Sequence, residues 1–186
     1  SLVSELKFKH SSSSASSLLE RQILKLRDEQ KDLMELLSSF VKTASINEDL
    51  FNKSKDLTLS ILGASSSEEI INKVQENFHK QFNVDNCILR LHDNSEINEL
   101  EKKTGMSFHK GSIHCGSFSQ EKMNLLFNDN EVQSMAIAVI INGKDIGLLM
   151  LGSYDRTKYL GDEDTTFIEY IRDILEKRFA SEDMNV

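Results

Sequence analysis

Residues 134–155 read SMAIAVIINGKDIGLLMLGSYD. Two apolar, β-branched-rich segments flank Asn142-Gly143, the dipeptide best suited to the positive φ angles of a tight hairpin turn. The first segment is apolar on both of its alternating faces, with Met135, Ile137, Val139 and Ile141 on one and Ala136, Ala138 and Ile140 on the other. A strand with two apolar faces has to be covered on both. The stretch therefore predicts a central β-hairpin, whose smaller alanine face allows a helix to pack closely.

The composition limits the class of protein. For 186 residues and 21.2 kDa, we expect one globular domain plus an extended element. A net charge of −8 without a basic cluster argues against nucleic-acid binding. The longest apolar run, residues 135–141, is too short to span a bilayer, and the first residues lack the pattern of a signal peptide. Because two cysteines cannot form a disulfide framework, we expect a cytoplasmic protein.

Residues 18–62 contain neither glycine nor proline and predict a long helix. Apolar residues recur there at alternating spacings of four and three, which is a heptad repeat. The predicted dimer interface consists of Leu19, Ile23, Leu26, Leu33, Leu37, Phe40, Ala44 and Asn47. The alternative is an amphipathic helix that packs on its own domain. Because a helix of this length reaches about 65 Å, longer than a compact domain is wide, we favour a homodimeric coiled coil.

The other segments predict an α+β domain. Residues 1–17 contain a serine run and predict a flexible or partial N-terminal segment, and residues 181–186 predict a frayed tail. Between the long helix and that tail, residues 63–180 predict helices around the hairpin and a further strand at 86–92. We expect an antiparallel sheet with helices on one face and a partly enclosed opposite face.

The loop after the hairpin, which contains Gly152, is the best candidate for a functional site. One interpretation is structural, with Gly152 meeting a need of the backbone and its neighbours making capping or turn hydrogen bonds. The other is a polar ligand pocket on the sheet face away from the helices, where an arginine favours an anionic ligand. The predicted ligand-binding residues are Arg90, Ser153, Asp155 and Arg156.

Cysteine and histidine chemistry is not expected. Cys115, His114, His109 and Cys87 match no zinc signature, which needs two closely spaced ligand pairs. A Cys–His nucleophile needs the two side chains close together, but adjacent residues of a strand point to opposite faces. We therefore expect no metal, no cofactor and no catalytic residue, and interpret Cys115 as a small buried hydrophobe.

Several short motifs in this order resemble the bacterial family called domain of unknown function 484. They are LLERQ at 18–22 with Leu26-Arg27, residues 44–47 with Leu50, Cys115-Gly116, Leu126-Phe127, Ser134 with Ala136, Gly147-Leu148-Leu149, and Leu151-Gly152-Ser153 with Asp155. The similarity covers about residues 18 to 179. The family has a GAF-like globular part, so the resemblance implies a GAF-like domain preceded by a coiled-coil helix.

GAF domains act broadly as small-molecule sensors and as dimeric signalling parts. Together with the heptad repeat and Arg90, the resemblance leads to the hypothesis of a homodimeric, non-enzymatic regulatory or sensor module that binds a small, anionic ligand. The alternative is a ligand-free GAF-like scaffold for protein–protein interaction, and a small-molecule hydrolase or thiol enzyme is a third hypothesis. An open cavity at Arg90 and Asp155 favours the first, a cavity filled by bulky side chains the second, and a short contact between Cys115 and a histidine the third.

Overall fold

The computed structural model describes the backbone of residues 2–143, 145–160 and 165–183, and the side chains of residues 12–143, 145–160 and 165–181. The elements in chain order are α1 (Leu2–Leu62), α2 (Ser67–Phe82), β1 (Asn86–His92), α3 (Asn94–Thr104), β2 (Ile113–Gly116), α4 (Gln120–Phe127), β3 (Ser134–Asn142), β4 (Asp145–Ser153) and α5 (Thr165–Asp183). They form the α+β fold that the sequence predicts, and this prediction is confirmed.

The chain divides into two compact units, Ser1–Leu50 and Phe51–Val186. The first unit consists of α1 residues, and every side chain described in it is exposed. The second unit includes the last turns of α1, because Leu57 and Ile61 are fully buried in its core. The globular part therefore starts before residue 63, which is the start that the sequence predicts.

Helix α1 starts at Leu2 rather than at residue 18. The serine run, predicted to be flexible, is helical. Serine costs only about half a kcal/mol per residue in a helix, and without glycine or proline no residue forces a break. The last helix, α5, ends at Asp183 and so includes part of the predicted frayed tail. Residues 161–164 and 184–186 lie outside the described residues.

The hairpin lies at the centre of an antiparallel sheet with the strand order β1-β4-β3-β2. Strands β3 and β4 pair along their whole length, from Ser134 opposite Ser153 to Asn142 opposite Asp145. Because Asn142 still belongs to the ladder, the turn lies one residue later than predicted. It begins at Gly143, whose φ of 51° suits a residue without a side chain.

One face of the sheet is covered by helices α2 and α5 and by the end of α1. The side chains of this layer include Ala138 and Leu149 from the hairpin, Phe78 from α2 and Leu175 from α5. Ala136 and Ala138 are both fully buried. The alanine face of the hairpin therefore packs against helices, as its small side chains predict.

The other face of the sheet is covered by α3, α4 and the segments that flank them. Its core contains Met135, Ile137 and Leu148 from the hairpin, together with Ile97 of α3 and Phe108. Each of these five side chains has 0% of its surface exposed. This face is thus covered by the chain's own apolar side chains.

Gly152 in β4 is needed for packing rather than for backbone geometry. Its φ is not positive, but an added Cβ would lie 3.1 Å from Phe127 Cε1 and 3.1 Å from Val132 Cγ2. Both neighbours are buried, at 4% and 0% exposure, and so have little room to move away. The loop between α4 and β3 can therefore reach the sheet only because residue 152 has no side chain.

We expect Gly152→Ala to lower the free energy of unfolding by about 1–3 kcal/mol, because it overpacks this contact. Val132→Ala alone should cost about 2 kcal/mol through the cavity it leaves. In the double variant, the shortened Val132 makes room for the new methyl group, so its loss should be smaller than the sum of the single losses by about 1 kcal/mol. Urea denaturation of the four proteins measures this coupling, and strictly additive losses would contradict the packing argument.

Candidate functional site

The end of β4 and the start of β1 meet at a polar corner of the sheet. Ser153 is buried, with 1% of its surface exposed, and its Oγ donates a hydrogen bond to Asp85 Oδ2 at 3.0 Å. The backbone N–H of Tyr154 donates to the same oxygen at 2.9 Å. Asp85, the residue just before β1, therefore holds the loop after β4 next to the start of β1.

Asp129 holds the other side of this corner. Its Oδ2 accepts from the Tyr154 hydroxyl at 3.1 Å and from Asn86 Nδ2 at 3.2 Å, and its Oδ1 accepts from the Glu131 N–H at 2.9 Å. The Glu131 N–H is the main cause that lowers the pKa of Asp129. The Asp129 carboxylate in turn raises the pKa of the Tyr154 phenol, because it accepts the phenol's hydrogen bond and repels the phenolate.

Asp155 forms a turn with the residues that follow it. Its Oδ1 accepts from the Thr157 N–H and from Thr157 Oγ1, both at 2.8 Å, and these bonds lower its pKa. The Asp155 N–H donates to Ser153 Oγ at 3.1 Å, and its carbonyl accepts from Ser134 Oγ at 2.5 Å. This arrangement is an Asx-type turn, in which the side chain supports the backbone. Ser153 and Asp155 therefore have the turn and capping contacts of the structural interpretation.

Arg90 lies far from this corner. It is exposed on β1 opposite Leu148, five residues along β4 from Ser153, or about 17 Å. By strand alternation it also lies on the sheet face of Leu148, whereas Ser153 lies on the face of Leu149. The structure therefore does not bring Arg90 together with Ser153 and Asp155 in one pocket.

Arg156 lines a separate small cleft. The cleft has a volume of about 180 Å³ and is lined by Ser117, Phe118, Gln120, Met123, Gln133 and Arg156. Several of its polar groups are already used, since Ser117 Oγ donates to the Gln133 carbonyl at 2.8 Å. Arg156, one of the four predicted ligand-binding residues, thus lines a cleft.

The two cysteines lie in one row across the sheet, on opposite edge strands. Cys87 pairs with Leu151, Leu151 with Ala136, and Ala136 with Cys115. Three strand spacings separate the two cysteines by about 14 Å, too far for a disulfide. Cys87 is buried, and this burial raises the pKa of its thiol, so its reactive thiolate form is disfavoured.

His114 does not activate Cys115. The two residues are neighbours in β2, with Cys115 packed against the helix-covered core and His114 edge-on to Phe108 on the other face. The His114 Nε2 lies 2.9 Å from the Ser107 carbonyl oxygen and 3.0 Å from Ser112 Oγ. The Cys–His contact that would favour a thiol enzyme is therefore not formed by this pair.

Within the described part of the chain, no three His, Cys, Asp or Glu side chains are close enough to hold a metal ion. No helix in that part combines the length and the apolar character of a membrane span.

The model of the family described as protein of unknown function, DUF484, matches residues 1–181. The chain belongs to the DUF484 family. This confirms the resemblance seen in the sequence motifs. The family match begins at residue 1, whereas the first of the motifs begins at residue 18. No curated protein matches the chain.

Two solved structures have similar folds. The free methionine-R-sulfoxide reductase from Neisseria meningitidis, solved with its substrate, aligns with a TM-score of 0.59 at 12% identity over 74% of this chain and 92% of that one. The GAF domain of A. aeolicus nlh2 in an inactive state aligns with a TM-score of 0.51 at 15% identity over 73% and 98%. The globular part of this DUF484 protein is thus GAF-like. One of the two relatives is an enzyme, so fold alone does not assign or exclude catalysis.

Local sequence patterns do not reveal the roles of Asp85, Asp129 and Tyr154. Asp85 immediately precedes a predicted strand, and Asp129 lies in an Asn-Asp-Asn turn, so each resembles an ordinary loop residue. The pairing of β1 with β4 brings Asp85 to Ser153, and the pairing of β3 with β4 brings the loop that contains Asp129 to the same end of the sheet. The hydrogen bonds of this network therefore could not be predicted from local sequence patterns.

We expect Asp129→Asn to lower the pKa of the Tyr154 phenol towards its ordinary value, because the neutral amide no longer repels the phenolate. Tyrosine absorbance followed against pH measures the change, and Tyr154→Phe assigns the curve to this residue. Asp145→Asn, at the opposite end of β4, is the matched control. An unchanged Tyr154 titration in Asp129→Asn would contradict the contact.

The same carboxylate should make stability depend on acid pH. Because the pKa of Asp129 is lowered in the folded protein, its contribution is present above the ordinary value near 3.8 and is lost as pH falls through the folded value. Wild type should therefore lose more thermal stability than Asp129→Asn when the pH falls below about 4. An equal loss in both proteins would show that Asp129 contributes nothing.

Proposed function

We propose that this DUF484 protein is a non-enzymatic regulatory scaffold, which dimerises through α1 and presents a closed GAF-like unit to protein partners. The observation that carries the proposal is the filled core beneath α3 and α4. Phe108, Met135 and Leu148 occupy this space with 0% exposure. A ligand pocket is normally a concave space of several hundred Å³, so these bulky side chains support the scaffold over the sensor with an internal ligand.

The properties of the thiols support a non-enzymatic role. A cysteine nucleophile needs an accessible thiolate and a nearby base. Cys87 is buried in the helix-covered core, and Cys115 lies across the sheet from the side chain of His114. Cys87 thus lacks the accessibility of a nucleophile, and the neighbouring His114 is not placed to act as a base for Cys115.

The exposed seam of α1 supports a dimer. Leu33, Leu37 and Phe40 have 65%, 58% and 63% of their surface exposed in the single chain. A continuous apolar stripe of this kind marks an interaction surface, because burying it removes apolar area from water. A second copy presents the same heptad repeat and can cover it.

Regulation in such a scaffold would act through the packing of the two long helices. A protein partner can shift that packing only if it binds two states of the dimer with different affinity. The GAF-like unit is joined to α1 through Leu57 and Ile61, which are buried in its core. A partner bound to the unit therefore acts on a surface that shares its core with the helix.

The Arg156 cleft favours a second candidate function, the binding of a small anion at the surface. Arg156 supplies the positive charge and Gln133 an amide group at the same cleft, whereas the amide of Gln120 already donates to the carbonyls of Asn130 and Val132. Its volume of about 180 Å³ limits any ligand to a few non-hydrogen atoms. In this case the regulatory signal would be a small anion instead of a protein.

We expect Leu33→Asp combined with Leu37→Asp to convert the dimer to a monomer, because two charges per helix would be buried in the seam. Ser38→Asp with Ser39→Asp adds the same charges to the next turn outside the heptad seam and should leave the dimer intact. Light scattering in solution measures the mass of each protein. If the mass is the same for wild type and the leucine variant, α1 is not the dimer interface.

We expect Phe108→Ala to lower the free energy of unfolding by about 3–5 kcal/mol and to leave an apolar cavity beneath α3. Benzene should then raise the thermal midpoint of the variant but not of wild type, because only the variant has room for it. Leu125→Ala, which truncates a half-exposed side chain of α4, is the control and should behave like wild type. Stabilisation of wild type by benzene would contradict a closed core.

A further inference from the structure

The seam of α1 consists of the a and d positions of a regular heptad repeat, and the middle of the opposite face of the helix is charged throughout. Its a positions are Ile23, Gln30, Leu37, Ala44 and Phe51, and its d positions are Leu19, Leu26, Leu33, Phe40 and Asn47. The f positions, opposite the seam, are all charged and are Arg21, Asp28, Glu35, Lys42 and Asp49. The described side chains at all these positions are exposed in the single chain, so the seam is open to a partner along its length.

We propose that two copies of α1 pair antiparallel, with Gln30 of each copy level with Asn47 of the other. The inference rests on the proposed homodimer and specifies its orientation and register. In an antiparallel pair, each a residue lies in one layer with a d residue of the second copy. The central layers then combine Leu26 with Phe51, Gln30 with Asn47, Leu33 with Ala44, and Leu37 with Phe40.

These layers match in polarity and in size. Each buried amide meets another amide and can hydrogen-bond to it, as buried polar groups require. The small Ala44 meets a leucine instead of another alanine. In a parallel pair, by contrast, Phe40 would face Phe40 and Ala44 would face Ala44 of the second copy, so a wide layer would lie beside a narrow one.

The charges that flank the seam distinguish the two orientations most clearly. The e positions carry Glu20, Arg27, Glu48 and Lys55. In the antiparallel register, e positions face e positions of the second copy, so that Arg27 meets Glu48 and Glu20 meets Lys55. By symmetry each ion pair forms twice, and such flanking pairs set the orientation of coiled coils.

The parallel orientation forms none of these ion pairs. There each e residue faces the g residue five positions earlier in the second copy, which pairs Glu20 with Ala15, Arg27 with Gln22, Glu48 with Thr43 and Lys55 with Leu50. Four charged side chains would then have neutral neighbours. The flanking charges thus favour the antiparallel pair.

The apolar residues beside the centre of the seam follow the same symmetry. Met34 and Val41 occupy e positions and face each other in the antiparallel register, as Leu36 and Thr43 do at g positions. The seam is thus widest at its midpoint, with ion pairs towards both ends. Met34, Leu36 and Val41 are more than half exposed in the single chain, at 62%, 52% and 62%, and a second helix would cover them.

The register also gives the groove at the end of α1 an occupant. Leu19 of the second copy comes level with Thr58, where α1 and α5 border a groove of about 270 Å³ whose wall includes Leu62 and Ile174. The next heptad position after Thr58 is the d position Ile61, which is already buried in the core of its own unit. The seam therefore extends as far as Thr58, and its partner residue is an apolar side chain that fits this groove.

A charge exchange tests the register. We expect Arg27→Glu to raise the dimer dissociation constant about tenfold, since two attractive pairs become repulsive. Glu48→Arg should do the same, and the two changes together should restore the wild-type constant. Asp28→Arg, at an f position, is the control and should have little effect. Sedimentation equilibrium measures each constant, and additive losses in the double variant would overturn the pairing of Arg27 with Glu48.

Disulfide trapping tests the orientation in the full chain, with Cys87→Ala and Cys115→Ala removing the native thiols. We expect Leu33→Cys chains to crosslink to Ala44→Cys chains in a mixture, and neither variant to crosslink with itself. Self-crosslinking of each variant would establish a parallel dimer and overturn the inference while leaving the dimer in place. A dimer mass without any crosslink would also overturn it. A monomeric mass for the wild-type chain would instead overturn the proposed homodimer itself.

Discussion

Both faces of the β3–β4 hairpin are apolar and have to be covered, and this requirement determines where the helices of the globular unit lie. The two strands occupy the middle of the sheet, so their side chains cannot reach water at a sheet edge. The alanine face is met by α2, α5 and the end of α1, and the larger face by α3 and α4. The end of the long helix belongs to the globular unit for the same reason, because Leu57 and Ile61 are part of the layer that covers the alanine face.

The same constraint narrows the possible functions. On the face beneath α3 and α4, the fully buried Phe108 and Met135 support the proposal that the unit holds no internal ligand. The polar residues after β4 are used to hold the corner of the sheet, with Ser153 bonded to Asp85. The apolar seam of α1 is exposed in the single chain, and the proposed role in protein interaction rests on this surface.

The features that could be predicted from sequence are those with a repeating pattern. The two-faced strand at 134–142, the heptad of α1 and the family motifs each involve many residues, so single exceptions do not hide them. The turn was misplaced by one residue because Asn142 pairs with Asp145 and leaves Gly143 to begin the loop. The helix start was wrong because the serine run lacks a residue that breaks a helix.

Single polar residues could not be assigned in this way. A serine and an aspartate after a strand have the same local pattern whether they bind a ligand or support a turn. Their roles depend on partners such as Asp85 and Thr157, and Asp85 is brought to Ser153 only by the pairing of β1 with β4. Arg90 lies apart from them, because neither the register nor the face of strand 86–92 can be read from the sequence.

The most direct test of a dimeric, ligand-free scaffold is native mass spectrometry of the protein purified from its own host cells, repeated after denaturation. The account predicts a mass of twice the 21.2 kDa chain with no additional small molecule. A dimer that carries a small molecule released by denaturation would contradict the closed scaffold and establish a sensor. A monomer would contradict the assembly through α1.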